Sequence, residues 1–252
     1  MVGGNTGGGT ATRQTLTVIG HRGARGHAPE NTLLSLDRAI HLGADWVEFD
    51  VQLHPAGALV LLHDLTLERT TDGCGALVDC DFDTLRRLDA GVGQKIPTLE
   101  EALELIEMQV GVNVEIKSAG GTGEAVAGVL RRYVAAGWPP DKLLVSSFHL
   151  PELWEFRQAA PEIPIAVLLA GVPLDFAGCA TELQAAAVNL SAEFADPRLI
   201  ADAKAHGRSV YVYTVNDPAE MQRLQVLGVD GVFTDYPDRV PESLRRPRRA
   251  TP

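Results

Sequence analysis

Residues 46–63 decide the fold, and they read WVEFDVQLHPAGALVLLH. Two strand-like apolar runs, Trp46–Leu53 and Ala58–His63, are separated only by the four residues His-Pro-Ala-Gly. A parallel crossover needs about a dozen residues or more, whereas proline and glycine suit a hairpin turn. The second run is therefore predicted to lie antiparallel to the first and to extend from it as a flap.

Seven other strand-like runs alternate with helical segments along the chain. The strand candidates are Leu16–Gly20, Val112–Lys117, Leu143–Ser147, Ile165–Leu169, Ala187–Leu190, Ser209–Thr214 and Gly231–Thr234. The helical candidates are Thr32–Leu42, Leu99–Gln109, Gly123–Ala136, Pro151–Ala160, Pro197–His206 and Pro218–Leu227. Such alternation predicts an α/β fold with a parallel sheet. Together with Trp46–Leu53 the parallel strands number eight, which suggests a closed (β/α)8 TIM barrel, although periodicity alone does not separate it from an open doubly wound sheet.

Composition sets the boundaries of this predicted barrel. Residues 1–14 are rich in glycine and lack an apolar core of signal-peptide length, so they are interpreted as a flexible tail. The barrel is predicted over residues 15–240, with a small insertion after the second strand at about 54–97. Long irregular segments in compact domains are usually functional or mobile, which favours a position over the barrel mouth. Residues 241–252 are interpreted as a basic tail.

The overall charge and composition exclude several classes of protein. A net charge of −11 is unsuited to nucleic-acid binding, which needs a basic surface, but local cations or a metal can still bind a small phosphodiester. A membrane-spanning helix needs a run of about 18 apolar residues, and no run in the sequence is that long. A cytoplasmic location is expected. The three cysteines match no zinc site and are interpreted as reduced thiols. The sequence makes no prediction of the oligomeric state.

Charged residues collect at the ends of the predicted strands, where α/β proteins bind their ligands. Glu48 and Asp50 are two residues apart on one strand and share a face, and Glu115 is predicted on the next barrel strand. Three carboxylates in one cleft need a counter-charge, a shared proton or a divalent cation. A set of oxygen ligands favours Mg²⁺ or Ca²⁺ over zinc. The alternative is a buried ion network of these acids with Arg22 and Lys117.

Two histidines are predicted to flank the carboxylates. His21 ends the first strand, and folding of the hairpin brings His63 roughly opposite Glu48. Histidine titrates near neutrality and serves as a general acid or base. Arg22 follows His21 between two glycines that let a ligand approach the backbone, and its guanidinium could grip a phosphate at two points. The other five histidines are interpreted as structural or solvated.

These residues lie in an ordered set of motifs that resembles the glycerophosphodiester phosphodiesterase family from about Leu16 to Asp238. The motifs are His21-Arg22-Gly23, Ala28-Pro29-Glu30-Asn31-Thr32, Glu48-Phe49-Asp50-Val51, Leu62-His63-Asp64, Leu67-Glu68-Arg69-Thr70-Thr71, Glu115-Ile116-Lys117, Ser146-Ser147-Phe148, Thr214-Val215-Asn216 and Gly231-Val232-Phe233-Thr234-Asp235.

The resemblance implies a TIM barrel that hydrolyses glycerophosphodiesters to glycerol 3-phosphate and an alcohol with the help of a divalent metal. The implied roles are metal ligation by Glu48, Asp50 and Glu115, acid/base catalysis by His21 and His63, and phosphate contact by Arg22 and Lys117. The nucleophile is either water or the glycerol 2-hydroxyl, which would give a cyclic phosphate intermediate. Tyr213 stands where many relatives have tryptophan, so it is taken as substrate-binding, with the shape of the alcohol pocket left open.

Three other functions compete with this one. A lysophospholipase D-type enzyme would use the same site with an apolar groove, which Phe82, Leu85 and Leu88 could supply unless they form the core of the insertion. A non-catalytic phosphodiester-binding module would not need a matched pair of histidines. A sugar-phosphate isomerase or aldolase on the same barrel would want a Schiff-base lysine or an isolated base, and Lys117 is the one lysine predicted at a strand end.

Overall fold

The computed structural model describes residues 15–246, in which eight parallel strands close into a barrel. In chain order the described strands are β1 (Thr17–Gly20), β2 (Trp46–Leu53), β3 (Leu59–Leu61), β4 (Gly111–Ile116), β5 (Leu143–Ser147), β6 (Ile165–Leu169), β7 (Ala187–Ser191), β8 (Ser209–Tyr213) and β9 (Gly231–Thr234). All but the antiparallel β3 belong to the eight parallel strands of the barrel. The first strand pairs in parallel with both β2 and β9, and this double pairing closes the barrel. The predicted TIM barrel is confirmed, and the open sheet is excluded.

Helices connect the barrel strands and cover the outside of the barrel, and one short helix, Phe82–Leu85, lies in the insertion. They are α1 (Leu33–His41), α2 (Phe82–Leu85), α3 (Leu99–Ile106), α4 (Thr122–Ala135), α5 (Leu150–Ala159), α6 (Gly178–Glu182), α7 (Pro197–Ala205) and α8 (Pro218–Val226). The prediction extended α3 to Gln109, but the helix ends at Ile106 because Glu107 and Met108 adopt left-handed backbone angles. The five-residue α6 was not predicted, since it is too short to show a helical period.

The hairpin after β2 forms as predicted. The third strand pairs antiparallel with β2, with Val51 opposite Leu61. This register, extended by two residues, brings His63 level with Phe49, one residue from the predicted position. The flap therefore carries His63 back toward the carboxylates of β2.

The insertion has a small core of its own, and its two ends lie side by side. Val60 forms an antiparallel bridge with Thr98, and Leu61 N donates to Pro97 O at 2.9 Å. The buried members of this core are Val60, Leu62, Leu67, Leu77, Leu85, Ala90 and Ile96, with Phe82 and Leu88 packed against them. Phe82, Leu85 and Leu88 thus belong to the core of the insertion and do not supply an acyl groove.

Alternation along the strands separates the apolar core from the barrel interior. Val47, Phe49 and Val51 of β2 are fully buried in the main core, which also contains Leu99 and Leu103 of α3. The residues between them, Glu48 and Asp50, therefore face the inside of the barrel. The apolar layer on the outside of β2 fixes the direction of both carboxylates.

Part of the segment assigned to the C-terminal tail packs against the barrel. Leu244 is buried, its carbonyl oxygen accepts from Leu16 N at 2.7 Å, and the Arg245 guanidinium donates to Gly43 O at 3.0 Å. Residues 241–246 are therefore held at the N-terminal end of β1. The remainder of the two predicted tails, residues 1–14 and 247–252, lies outside the described residues. Between residues 15 and 246 there is no helix with the length and apolar character to cross a membrane.

The first turn of α4 depends on a carboxylate from α5. Gly121 at the start of α4 has no side chain to cap the helix. Glu152, which is 3% exposed, accepts the N–H groups of Gly120 at 2.6 Å, Gly121 at 3.2 Å and Gly123 at 2.7 Å. A carboxylate at this position also interacts favourably with the positive end of the helix dipole.

Replacement of Glu152 by alanine should lower the free energy of unfolding by about 2–3 kcal/mol, because three backbone N–H groups, of which that of Gly123 is buried, lose a charged acceptor. Urea unfolding followed by circular dichroism measures this loss. Glu155→Ala, at an exposed position on the same helix, is the control and should change stability little. Equal stability of the two variants would contradict the capping role.

Candidate active site

Three carboxylates meet at the C-terminal end of β2 and β4. Asp50 and Glu115 are paired in the register of these strands, and Glu48 lies two residues before Asp50. Each of the three offers an oxygen atom, and these atoms lie within 4.8 Å of one another. Glu48 and Asp50 are each 1% exposed, so bulk water screens their mutual repulsion poorly. The structure thus brings together the three acids that the sequence predicted.

Two cations approach this cluster without neutralising it. The Arg22 Nε lies 3.1 Å from Asp50 Oδ2, and Lys117 Nζ lies 2.7 Å from Glu115 Oε1 and 3.7 Å from Asp50 Oδ1. Glu48 Oε2 accepts from the backbone N–H of Arg22 at 2.8 Å, but Glu48 Oε1 is buried and has no hydrogen-bond partner. The ion pairs that the sequence analysis considered as an alternative to a metal site, those of the acids with Arg22 and Lys117, are therefore present. They leave Glu48 Oε1 without a hydrogen-bond partner.

The surroundings of Glu48 and Glu115 raise their pKa values. Burial raises the pKa of Glu48 well above its ordinary value, and the charges of Asp50 and Glu115 add to this effect. Burial and the charge of Asp50 raise the pKa of Glu115 to about 7, against the opposing effect of Lys117. Two carboxyls that resist ionisation beside a third, with a buried oxygen lacking a partner, are suited to a divalent cation with oxygen ligands.

His21 is held at the barrel mouth by a carboxylate from the last strand end. Its Nδ1 lies 2.8 Å from Asp235 Oδ1, and Asp235 in turn accepts from Asn216 Nδ2 at 2.8 Å and lies 2.7 Å from Arg25 Nε. Burial lowers the pKa of His21, and the hydrogen bond with Asp235 only partly offsets this. With the Nδ1 proton directed at Asp235, the neutral ring leaves Nε2 as an acceptor.

His63, which follows the hairpin, has a similar arrangement. Its Nδ1 lies 2.5 Å from Oδ1 of the adjacent Asp64, and its side chain is 31% exposed. Hydrogen bonds from Arg69 lower the pKa of Asp64, although slight burial opposes them, so this carboxylate stays ionised. Both histidines therefore have one ring nitrogen fixed by a carboxylate, which orients the ring and leaves the other nitrogen available.

Aromatic side chains form the wall beside Lys117. The Lys117 Nζ lies 5.7 Å from the centroid of the Phe148 ring, and Phe148 meets Tyr213 edge-on at 6.0 Å. The hydroxyl of Tyr213 donates to Leu169 O at 3.0 Å, so it is committed to the backbone. Burial and the nearby charge of Glu115 raise the pKa of Tyr213. Tyr213 thus contributes an aromatic surface rather than a free hydroxyl.

Sequence reasoning did not assign a role to the residues that orient this site. Asn31 makes two hydrogen bonds with Asp50. Its Nδ2 donates to the Asp50 carboxylate at 2.8 Å, and its Oδ1 accepts from the Asp50 backbone N–H at 3.1 Å. Asp64 and Asp235 hold the two histidines. A signal was present, because all three residues lie within the motifs and Asp235 directly follows a strand, but strand periodicity gives no information about loop residues.

The chain matches the model of the glycerophosphoryl diester phosphodiesterase family over residues 21–239. It is 34% identical over 234 residues to the putative glycerophosphodiester phosphodiesterase YhdW of Bacillus subtilis, covering 88% of this chain and 95% of that protein. It is 33% identical over 241 residues to a glycerophosphodiester phosphodiesterase of Caldanaerobacter subterraneus, covering 91% and 98%.

Solved structures are similar over the same length. A phosphodiesterase of Oleispira antarctica in complex with the product sn-glycerol-3-phosphate has a TM-score of 0.84 and 36% identity, covering 91% of this chain and 97% of that chain. A glycerophosphodiester phosphodiesterase of Thermotoga maritima has a TM-score of 0.74 and 27% identity, covering 88% and 96%.

In the presence of EDTA, the free energy of unfolding should decrease as the pH rises from about 4.5 to about 7. The folded protein retains a proton on Glu115 that the unfolded chain releases near pH 4.5. The stabilisation from this proton is therefore complete below pH 4.5 and is lost as the pH rises to the folded-state pKa of about 7. The decrease is roughly 1–3 kcal/mol, since each unit of pKa shift is equivalent to about 1.4 kcal/mol.

Thermal unfolding at pH 4.5, 6 and 8 measures this decrease. Glu115→Gln should flatten the profile, whereas Glu104→Gln, at an exposed position on α3, should leave it as in the wild type. A wild-type profile that rises over this range would contradict the raised pKa.

Proposed function

This chain belongs to the glycerophosphoryl diester phosphodiesterase family and hydrolyses glycerophosphodiesters, and we propose that it does so with a divalent cation and with His21 and His63 as general acid and base. The observation that carries the proposal is the buried, partner-free Oε1 of Glu48 within a cluster of three carboxylates. A cation would supply the missing partner of this oxygen. The two oriented histidines beside the cluster supply the proton transfers.

The carboxylates of Glu48, Asp50 and Glu115 would hold Mg²⁺ or Ca²⁺. Such an ion would neutralise the negative charge of the phosphodiester and the charge that develops as the bond to the leaving oxygen breaks. Arg22 and Lys117 add positive charge at the same end of the barrel. Lys117 contacts Glu115 and Asp50, and Arg22 contacts Asp50, so a phosphate bound beside the cluster would accept hydrogen bonds from them.

The two histidines divide the proton transfers. One accepts the proton of the nucleophile, which is water or the glycerol 2-hydroxyl, and the other donates a proton to the departing alkoxide. Each has Nδ1 against a carboxylate, Asp235 for His21 and Asp64 for His63, so each presents Nε2 to the reacting groups. Tyr213 and Phe148 offer aromatic faces beside Lys117, where we place part of the substrate.

A lysophospholipid is the second candidate substrate, and one observation favours it. Three loops on the same rim carry exposed apolar side chains: Phe148 after β5 is 46% exposed, Leu174 after β6 is 104% exposed and Phe194 after β7 is 39% exposed. The carboxyl ends of the parallel strands all face the barrel mouth, so these side chains lie on the side where substrate binds. They could contact an acyl chain attached to the same phosphodiester.

Release of glycerol 3-phosphate from glycerophosphocholine should require a divalent metal. We expect turnover to stop in EDTA and to return with excess Mg²⁺ or Ca²⁺, because the carboxylate cluster would otherwise repel the phosphate. Glu48→Gln should weaken the metal response, and Glu104→Gln is the exposed control. Full turnover in EDTA would refute metal dependence. A parallel assay with lysophosphatidylcholine decides between the two substrate classes, since preferred turnover of the lysolipid would support the second.

Replacement of either His21 or His63 by alanine should lower kcat by about 10²–10⁴-fold through loss of acid/base catalysis. The control is His41→Ala on α1, where the side chain is 71% exposed and remote from the strand ends. Steady-state kinetics, with circular dichroism to verify folding, measure the effect. Near-normal kcat in both site variants would refute the assignment.

A further inference from the structure

Arg69, in the insertion, holds two carboxylates at once. Its Nε donates to Asp64 Oδ2 at 2.5 Å and its NH2 to Asp64 Oδ1 at 3.0 Å. The same guanidinium donates through NH1 to Glu30 Oε2 at 3.0 Å and through NH2 to Glu30 Oε1 at 2.8 Å. Two carboxylates from different segments are therefore held by one side chain.

Each of these carboxylates contacts a residue of the candidate active site. Asp64 Oδ1 lies 2.5 Å from the Nδ1 of His63. Glu30 Oε1 lies 2.6 Å from NH1 of Arg22, whose Nε lies beside Asp50. A chain of contacts between charged groups thus links the carboxylate cluster to His63. It runs from Asp50 through Arg22, Glu30, Arg69 and Asp64.

The backbone around Arg69 is anchored by the core of the insertion. Leu67 is 1% exposed within that core, and its N–H donates to Gly75 O at 3.0 Å. Thr71 Oγ1 donates to Leu67 O at 2.7 Å. Arg69 itself is 46% exposed, and ion pairs at exposed positions contribute little to folding stability. Its contacts are therefore more than the fold requires.

We propose that Arg69 is a positioning residue that aligns His63 for proton transfer by fixing Asp64 between the imidazole and the guanidinium. This inference rests on the proposed role of His63. Glu30 accepts two hydrogen bonds from the same guanidinium, which restricts its rotation relative to Asp64. Lysine could not replace it, because one ammonium lacks the planar fork that engages both carboxylates.

A double-mutant cycle tests the alignment of His63. Arg69→Ala should lower kcat by about 10- to 100-fold, the cost of a slightly misplaced catalytic group. In the His63→Ala background the same change should cost less than about threefold, because no imidazole remains to be aligned. Single-turnover rates with excess metal-loaded enzyme and glycerophosphocholine keep the slow variants measurable.

Two further variants separate alignment from charge and from folding. Arg69→Lys keeps the positive charge and should be nearly as slow as Arg69→Ala. Arg87→Ala removes another exposed arginine of the insertion, which donates to Thr84 Oγ1 at 2.9 Å, and should have normal kcat. Full recovery in the lysine variant would overturn the proposal in favour of a simple charge effect.

The outcomes distinguish the proposal from the function on which it rests. A normal kcat in His63→Ala would refute the catalytic role of His63 itself. A slow His63→Ala variant in which Arg69→Ala costs the same factor as in the wild type would refute only the positioning role. A slow Arg69→Ala variant with normal thermal stability and a small effect in the His63→Ala background is the expected result.

Discussion

The repulsion among three carboxylates at the ends of β2 and β4 is the constraint on which the rest of the site depends. Glu48, Asp50 and Glu115 are forced inward because the residues between them pack against the helices. Ionised acids in such a place are unfavourable unless positive charge or hydrogen-bond donors surround them. The apolar layer outside the strands offsets this cost. The same repulsion would be relieved by a bound cation, which is the basis of the metal site proposed above.

The neighbours of the cluster are arranged to orient groups rather than to neutralise them. Asn31 fixes the plane of Asp50 through both ends of its amide. The backbone of Arg22 holds one oxygen of Glu48 and leaves the other open. The Nδ1 atoms of His21 and His63 each contact a carboxylate, that of Asp235 and that of Asp64 respectively. The proposed metal-binding and acid/base groups are thus each held by a hydrogen-bonding or ion-pair partner, as expected of a preorganised site.

The sequence predicted the features that depend on local periodicity and missed those that depend on long-range contacts. The bounds of β2, and the convergence of Glu48 with Asp50, follow from alternation along one strand. The hairpin follows from the length of one turn. The contact of His21 with Asp235, 214 residues away, comes from closure of the barrel and leaves no local pattern. The packing of Leu244 under β1 and the early end of α3 likewise reflect tertiary contacts and backbone angles that composition does not reveal.

Val60 and Thr98, near the two ends of the insertion, form an antiparallel bridge. His63 follows Val60 closely in the chain and precedes most of the loop. The position of His63 therefore follows from the register of a short hairpin, and only its proposed alignment by Arg69 depends on the loop beyond. Closure of a longer loop between the same two points would add little entropic cost, because that cost grows only with the logarithm of loop length. A longer loop inserted in an exposed part of this segment, away from the residues that anchor Arg69, would thus leave in place the hairpin that carries His63.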